Sequence, residues 1–118
     1  MVISKTNGLE YVRDLLKDGI SHAQAGDDGT LPSENDTGLF SPVTSTKVAV
    51  TPTISNNPAT ITLDHIIPLP AGVGSNLQEW EVRVNGDAQG FNRTVTAPLA
   101  KVGTQEVIRI VTIEVVQD

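Results

Sequence analysis

The sequence predicts a mainly β protein, an antiparallel β-sandwich of jelly-roll or Greek-key type with one short N-terminal α-helix. Short segments in which apolar and polar residues alternate are separated by clusters of Gly, Pro and Asn. Aromatic residues make up only 3% of the chain, so the core must be built from Val, Ile, Leu, Ala and Thr, which favour strands. At 118 residues we expect a single domain over residues 1–118.

The predicted helix runs from Asn7 to Gly19. Asn7 is placed to cap it, Glu10 occupies the capping-box position, and Gly19 is placed to end it. One face carries Leu9, Val12, Leu15 and Leu16, and the other carries Arg13, Asp14 and Lys17. Such an apolar face predicts a helix docked on its own sheet. An N-terminal arm and helix, residues 1–19, therefore precede a β-sandwich formed by residues 20–118.

A long loop, residues 26–38, follows the first short strand. It consists mainly of Gly, Asp, Ser, Pro, Asn and Thr, which set turns through their backbone geometry or through side-chain capping. Loops of this length in a compact domain are typically functional, packed on themselves or ordered by a neighbour. We expect a neighbouring molecule to order this loop.

Five further segments carry the alternation of strands: Lys47–Ile54, Thr60–Leu69, Leu77–Asn85, Phe91–Ala97 and Glu106–Val116. The first two are predicted to pair as a hairpin, with an edge or a bulge at Pro52. Asn85-Gly86-Asp87 predicts a tight turn between the third and the fourth.

Three residues are candidates for contacts between subunits. The last strand has apolar residues on both faces, with Ile108 and Ile110 in one register. This pattern indicates a central strand, or one whose outer face meets another subunit. Trp80, the one tryptophan, alternates with Glu79 and Glu81. It is either a core residue or an exposed anchor for a subunit or a carbohydrate.

Composition restricts the possible partners and chemistry. The net charge is −6 with only eight basic residues, which argues against a nucleic-acid binder. The chain has no cysteine, which excludes disulfides, thiolate metal sites and cysteine nucleophiles. We also expect neither a signal peptide nor a transmembrane segment, because no sufficiently long apolar run occurs.

Catalytic chemistry is not predicted, and we expect a protein that is not an enzyme. His22 and His65 both lie in strand-like segments without a neighbouring nucleophile motif. Both are expected at a core margin or a subunit contact. His65 shares a face with Leu63 and Ile67, which predicts a buried, hydrogen-bonded ring.

The acidic residues of the long loop are the candidates for a metal site. Asp27, Asp28, Glu34 and Asp36 offer the oxygen ligands that Ca²⁺ prefers. Their spacing departs from the known calcium-loop pattern. We expect no cofactor, with Ca²⁺ as the one candidate ion, and the alternative is a solvated turn in which these side chains cap backbone amides.

The predicted helix and first strand are followed by Ala25-Gly26-Asp27-Asp28-Gly29-Thr30, by Pro32-Ser33 and by Asp36-Thr37-Gly38-Leu39. With these motifs, the segment Gly8–Val43 resembles small virion structural proteins of tailed viruses of bacteria and archaea. The resemblance implies a non-enzymatic protein of the capsid-decoration, turret, tail-tip or fibre-base type. It also implies a virion location after assembly in the host cytoplasm, a homo-oligomer with a trimer as the first expectation, and contacts with other virion proteins.

The alternative function is a carbohydrate- or ligand-binding β-sandwich. In that reading the loops 26–38 and 68–76 form a binding site at one end of the sandwich. Neither nucleic acid nor membrane is expected as a partner in either case, whereas a glycan is a possible ligand of the second.

Overall fold

The computed structural model describes residues 7–116, so the predicted arm at residues 1–6 lies outside the described residues. The fold is mainly β, with one N-terminal α-helix and two antiparallel sheets. A short 3₁₀ helix, Thr44–Thr46, precedes the second strand. The elements are α1 Asn7–Gly19, β1 Ile20–Gly26, β2 Val48–Ala49, β3 Thr53–Ser55, β4 Thr60–Ile67, β5 Asn76–Val84, β6 Gln89–Gly90, β7 Thr94–Ala100 and β8 Val107–Glu114.

The five-stranded sheet is centred on β1 and β5. These strands pair along their length, from Ile20 opposite Val84 to Gly26 opposite Glu79. β2 lies on the other side of β1, while β6 and β7 both pair with β5. The predicted turn before β6 is confirmed, because Asn85, Gly86 and Asp87 all have positive φ.

The three-stranded sheet has the order β3-β4-β8. β4 and β8 pair without interruption from Thr60 opposite Glu114 to Ile67 opposite Val107. β8 has no second partner within residues 7–116, so it is an edge strand rather than the central strand allowed by the sequence pattern.

The predicted hairpin between residues 47–54 and 60–69 forms only in part. The first half of the earlier segment, Val48–Ala49, pairs with β1, and Thr53–Ser55 pairs with β4. The chain crosses from one sheet to the other between them, where Pro52 lies. β2 and β3 are both edge strands, in agreement with the edge predicted at Pro52, since proline cannot donate a ladder hydrogen bond.

The core is aliphatic and contains residues of both sheets. One cluster combines Ile20 and Val82 of the five-stranded sheet with Leu63 and Val111 of the three-stranded sheet. A second cluster combines Leu77 and other residues with Ile67 of β4. The two antiparallel sheets are thus joined by the strand-favouring residues that the composition indicated.

The bounds predicted for α1 are confirmed, but the face predicted to dock is wrong in part. Arg13 is 3% exposed, and its guanidinium donates to the carbonyl of Ser55 at 2.9 Å. Val12 and Leu15, predicted to be buried, are 41% and 58% exposed. The long arginine stem fills the contact, while its charged end bonds the β3–β4 turn. Leu16 then completes the docked face.

Candidate functional site

One face of β5 is buried although its residues are charged. Trp80 and Val82 point into the core, and Glu79, Glu81 and Arg83 alternate with them, as predicted. Yet Glu79 is 0% and Glu81 2% exposed. The segment 27–42 covers this face, and Glu79 is its hydrogen-bond partner, whereas Glu81 pairs with Arg83 at 2.6 Å.

Glu79 holds the two ends of this segment, which we call the anchored loop. Its Oε1 accepts hydrogen bonds from the Phe40 N–H at 2.8 Å and from Arg93 Nε at 2.9 Å. Its Oε2 accepts from the Ser41 N–H at 2.8 Å and the Asp28 N–H at 3.1 Å. Four donors thus converge on one buried carboxylate, and hydrogen bonds to a charged acceptor are the stronger kind.

Arg93 holds the middle of the anchored loop. Its Nη1 donates to the Thr30 carbonyl at 2.8 Å and to Asp36 Oδ2 at 3.3 Å, and its guanidinium lies 3.9 Å from the centre of the Phe40 ring. Burial by itself lowers the pKa of Arg93, but the hydrogen bonds and negative charges of Glu79 and Asp36 together outweigh it and leave the pKa raised. Arg93 is therefore a cation under all ordinary conditions.

Glycines allow the anchored loop to approach the sheet. A Cβ on Gly26 would lie 2.5 Å from the Ser41 carbonyl oxygen and would also contact Glu79 Oε2. A Cβ on Gly90 would lie 2.5 Å from Glu81 Oε2. Backbone hydrogen bonds close the base of the loop, among them one from the Asp27 N–H to Ser41 at 3.0 Å. Contacts within the chain therefore hold the loop, and its ordering by a neighbouring molecule stays a prediction.

The four candidate calcium ligands do not converge. Asp28 and Asp36 both face the guanidinium of Arg93, at 3.5 Å and 3.3 Å. Asp27 and Glu34 are exposed. Across residues 7–116, no group of three potential metal ligands is found. A cation at this loop would have to compete with an arginine that already occupies the two inward-facing carboxylates.

The prediction for His65 is confirmed, and Trp80 is corrected as an interface candidate. The His65 ring is 1% exposed, and Nε2 donates to the Thr46 carbonyl at 2.8 Å. Burial lowers the pKa of His65. Trp80 is 4% exposed and meets the His65 ring edge-to-face. Its indole N–H donates to Thr96, so its polar group is satisfied inside the protein.

His22 lies at the margin of the five-stranded sheet, beside a cluster of charged side chains. Its Nδ1 is 3.9 Å from Asp87 Oδ1. The same carboxylate pairs with Lys47 at 3.0 Å and with Arg83 at 2.6 Å. The hydrogen bond from Lys47, with support from Arg83, lowers the pKa of Asp87. This cluster fixes the turn after β5 to the start of β2.

The outer face of the three-stranded sheet carries a group of exposed isoleucines and is uncovered by the described residues. Ile66, Ile108 and Ile110 are 42%, 57% and 67% exposed. Ile108 lies directly opposite Ile66, and Ile110 lies opposite Asp64. We call this set the isoleucine face. It contains two of the three predicted interface residues.

The exposed side of α1 is a second apolar surface. Tyr11 is 65% exposed, next to the exposed Val12 and Leu15 on adjacent turns. Asp14 and Asp18 flank these residues on the helix. None of the residues 7–116 covers this side, because α1 docks through Arg13 and Leu16 instead.

The two loops of the alternative ligand site have separate anchors. Residues 26–38 are held by Glu79 and Arg93, as described above. In residues 68–76, the Gly72 N–H donates to Ser45 and the Leu69 carbonyl accepts from Lys101, both at 2.9 Å. A groove of about 430 Å³ lies elsewhere, where the chain crosses between the sheets, and it is lined by Ala49, Val50, Thr51, Thr53, Thr62, Leu63, Asp64 and Ile66.

Sequence reasoning missed the anchoring pair of Glu79 and Arg93. Charged residues that alternate with apolar ones along a strand normally indicate a solvent face. One signal was available, since Arg93 shares a strand face with Phe91 and Val95 in the sequence pattern. A cation among apolar positions suggests a buried partner for its charge.

Comparison of the chain with protein-family models, with curated proteins and with solved structures yields no match. Within residues 7–116, none of the helices has the length and apolar character needed to cross a lipid bilayer.

Proposed function

We propose that this chain is a non-enzymatic structural subunit that works by contact and assembles with copies of itself through the isoleucine face. One observation carries the proposal. The polar outer face of the five-stranded sheet is covered by the anchored loop, whereas the outer face of the three-stranded sheet, with its exposed isoleucines, is left uncovered by residues 7–116. Exposed apolar patches of this kind mark interaction surfaces. The finer architecture that we propose is a sandwich of these two sheets, with one of its outer faces reserved for assembly.

The setting that we propose is a virus particle of the tailed-virus type. The resemblance of Gly8–Val43 to small virion proteins supports this setting, and so does a rigid loop fixed by its own chain. Subunits of a shell or tail need stable surfaces that meet neighbours repeatedly. Other virion proteins are then the expected further partners, and the exposed side of α1 offers a separate surface for them.

Mass measurement by light scattering after size exclusion tests the assembly. The native chain should elute with a mass that is a multiple of 12.5 kDa. Ile110→Lys places a charge in the isoleucine face and should shift the protein to a monomer. Val73→Lys is the matched control, because Val73 is a similarly exposed aliphatic residue, 52% accessible, in a loop. Leu15→Lys tests the exposed side of α1 in the same way.

The proposal fails if the native chain is a monomer at all concentrations, or if Ile110→Lys leaves the oligomer intact. Loss of the oligomer in Leu15→Lys alone would transfer the interface to α1. Saturable heat on titration of the monomeric Ile110→Lys variant with a glycan panel would instead favour the ligand-binding alternative.

A further inference from the structure

The edges of the two sheets differ in how they are protected from pairing. β2 has two residues and β3 has three, with Pro52 just before β3. β7 contains Pro98, and its pairing with β5 shifts register. Short edges, prolines and irregularities are the usual means by which proteins prevent edge-to-edge association.

β8 has none of these features. It spans Val107–Glu114 without proline, glycine or lysine, and its pairing with β4 shows no register shift. Its single cation, Arg109, points inward and lies 5.2 Å from the Trp80 ring. Within residues 7–116 the outer edge of β8 is therefore unpaired, long, regular and flanked by exposed isoleucines, which is what a partner strand requires.

We infer that β8 pairs antiparallel with β8 of a second copy, across a two-fold axis centred on Val111, to form a continuous six-stranded sheet. This inference rests on the proposed function, and edge pairing places the isoleucine faces of the two copies side by side in one larger apolar surface. Two-fold pairing gives a dimer as the basic unit, in place of the trimer expected from the resemblance.

The alternation of faces restricts the register. In an antiparallel pair, residues that lie opposite each other point to the same face of the sheet. When a strand pairs with its own copy, the two-fold axis must therefore lie where one residue faces the same residue of the other copy. Only an axis near the middle of β8 allows most of the strand to pair. With the axis at Ile110, residues 107–113 of one copy pair with residues 107–113 of the other. With the axis at Val111, residues 108–114 of one copy pair with residues 108–114 of the other.

Charge decides between these two registers. With the axis at Ile110, Glu106 of each copy faces Glu114 of the other, so two like-charge pairs form beside one isoleucine pair. With the axis at Val111, Ile110 faces Thr112, Ile108 faces Glu114 and Arg109 faces an isoleucine. Like charges directly opposite each other destabilise a sheet, so the second register is favoured. Ile110 still reaches its symmetry mate across the diagonal.

The chain has no cysteine, so a disulfide between two introduced cysteines identifies which residues of the two β8 strands lie opposite each other. Two variants, Ile110→Cys and Thr112→Cys, are mixed, allowed to exchange subunits, oxidised and analysed on non-reducing gels. Directly opposite residues are about 4.5–5.5 Å apart between Cα atoms, within disulfide range, whereas diagonal ones are about 7–8 Å apart. The mixture should therefore form a covalent dimer, and each variant alone should not.

Different results test the register, the strand pairing and the assembly itself. Val73→Cys replaces Thr112→Cys in the control mixture and should give no link with Ile110→Cys. A strong link in Ile110→Cys alone would overturn the Val111 register. An oligomer by light scattering without any β8 link would overturn strand pairing and leave the proposed function standing. The absence of any oligomer would overturn the proposed function itself.

Discussion

Replacing Glu79 by glutamine tests whether its buried carboxylate holds the anchored loop. Glutamine keeps the shape of the side chain but has one acceptor oxygen instead of two. Each carboxylate oxygen accepts two hydrogen bonds, so an NH₂ group in either position faces two donors. The buried Arg93 also loses the negative charge nearest to its Nε.

The expected loss is large. Each buried donor left without an acceptor costs about 1–3 kcal/mol, and breaking one side of a buried ion pair costs about 3–5 kcal/mol. These estimates describe the same event and are not added, so we expect about 3–5 kcal/mol from a total of about 5–15 kcal/mol. Asp36 and Asp28 remain near Arg93 and limit the loss to this range.

Urea unfolding measures the effect. Trp80 is the only tryptophan and is 4% exposed, so its fluorescence reports loss of the core. Glu34→Gln is the matched control, since Glu34 is an exposed glutamate of the same loop, and it should change stability by less than about 0.5 kcal/mol. Limited proteolysis of the anchored loop gives a second readout, which detects local opening before global unfolding.

A loss below about 1 kcal/mol in Glu79→Gln, with unchanged proteolysis of the loop, would refute the anchoring role. It would mean that the four hydrogen bonds contribute little beyond what water supplies. Loss of loop protection with little global destabilisation would instead locate the role in the loop alone.

Two further variants test the loop and the core. Gly26→Ala should destabilise the protein by more than about 2 kcal/mol, because the added Cβ collides with Ser41 and Glu79. Gly19→Ala is the control, since its Cβ meets nothing within 4 Å and the change should be neutral or stabilising. Equal urea midpoints for the two variants would contradict this expectation. His65→Gln should reduce the pH dependence of the free energy of unfolding. Burial lowers the pKa of His65, so below about pH 6.5 the unfolded chain binds a proton that the folded protein does not bind. The native protein therefore becomes less stable as the pH falls. The stability difference between native protein and variant should shrink from pH 7.5 to pH 5.5, and a constant difference would contradict the burial effect.

Local patterns in the sequence predicted local structure well. The end of α1 follows from its terminal glycine, and the turn at Asn85-Gly86-Asp87 follows from residues that accept positive φ. The inward face of β5 follows from its alternation. Each of these depends on a few neighbouring residues, so no knowledge of the tertiary structure was needed.

Long-range pairing could not be predicted in the same way. Arg13 is buried because a turn more than forty residues later offers it a carbonyl, and Glu79 is buried because a loop folds back over it. The pattern of β8 allowed a central strand or one whose outer face meets another subunit, and within residues 7–116 β8 is an edge strand. Of the predicted interface residues, Ile108 and Ile110 are exposed and Trp80 is buried.

Concentration-dependent hydrogen exchange of the β8 amides tests the central claim most directly, namely that a second copy completes the three-stranded sheet. In a monomer, every second N–H of Val107–Glu114 points to solvent and should exchange quickly. On raising the protein concentration, these amides should become protected together, while the amides of β7, the other long edge strand, should keep their rates. Rapid exchange of the outward-facing β8 amides at all concentrations would contradict assembly through this edge.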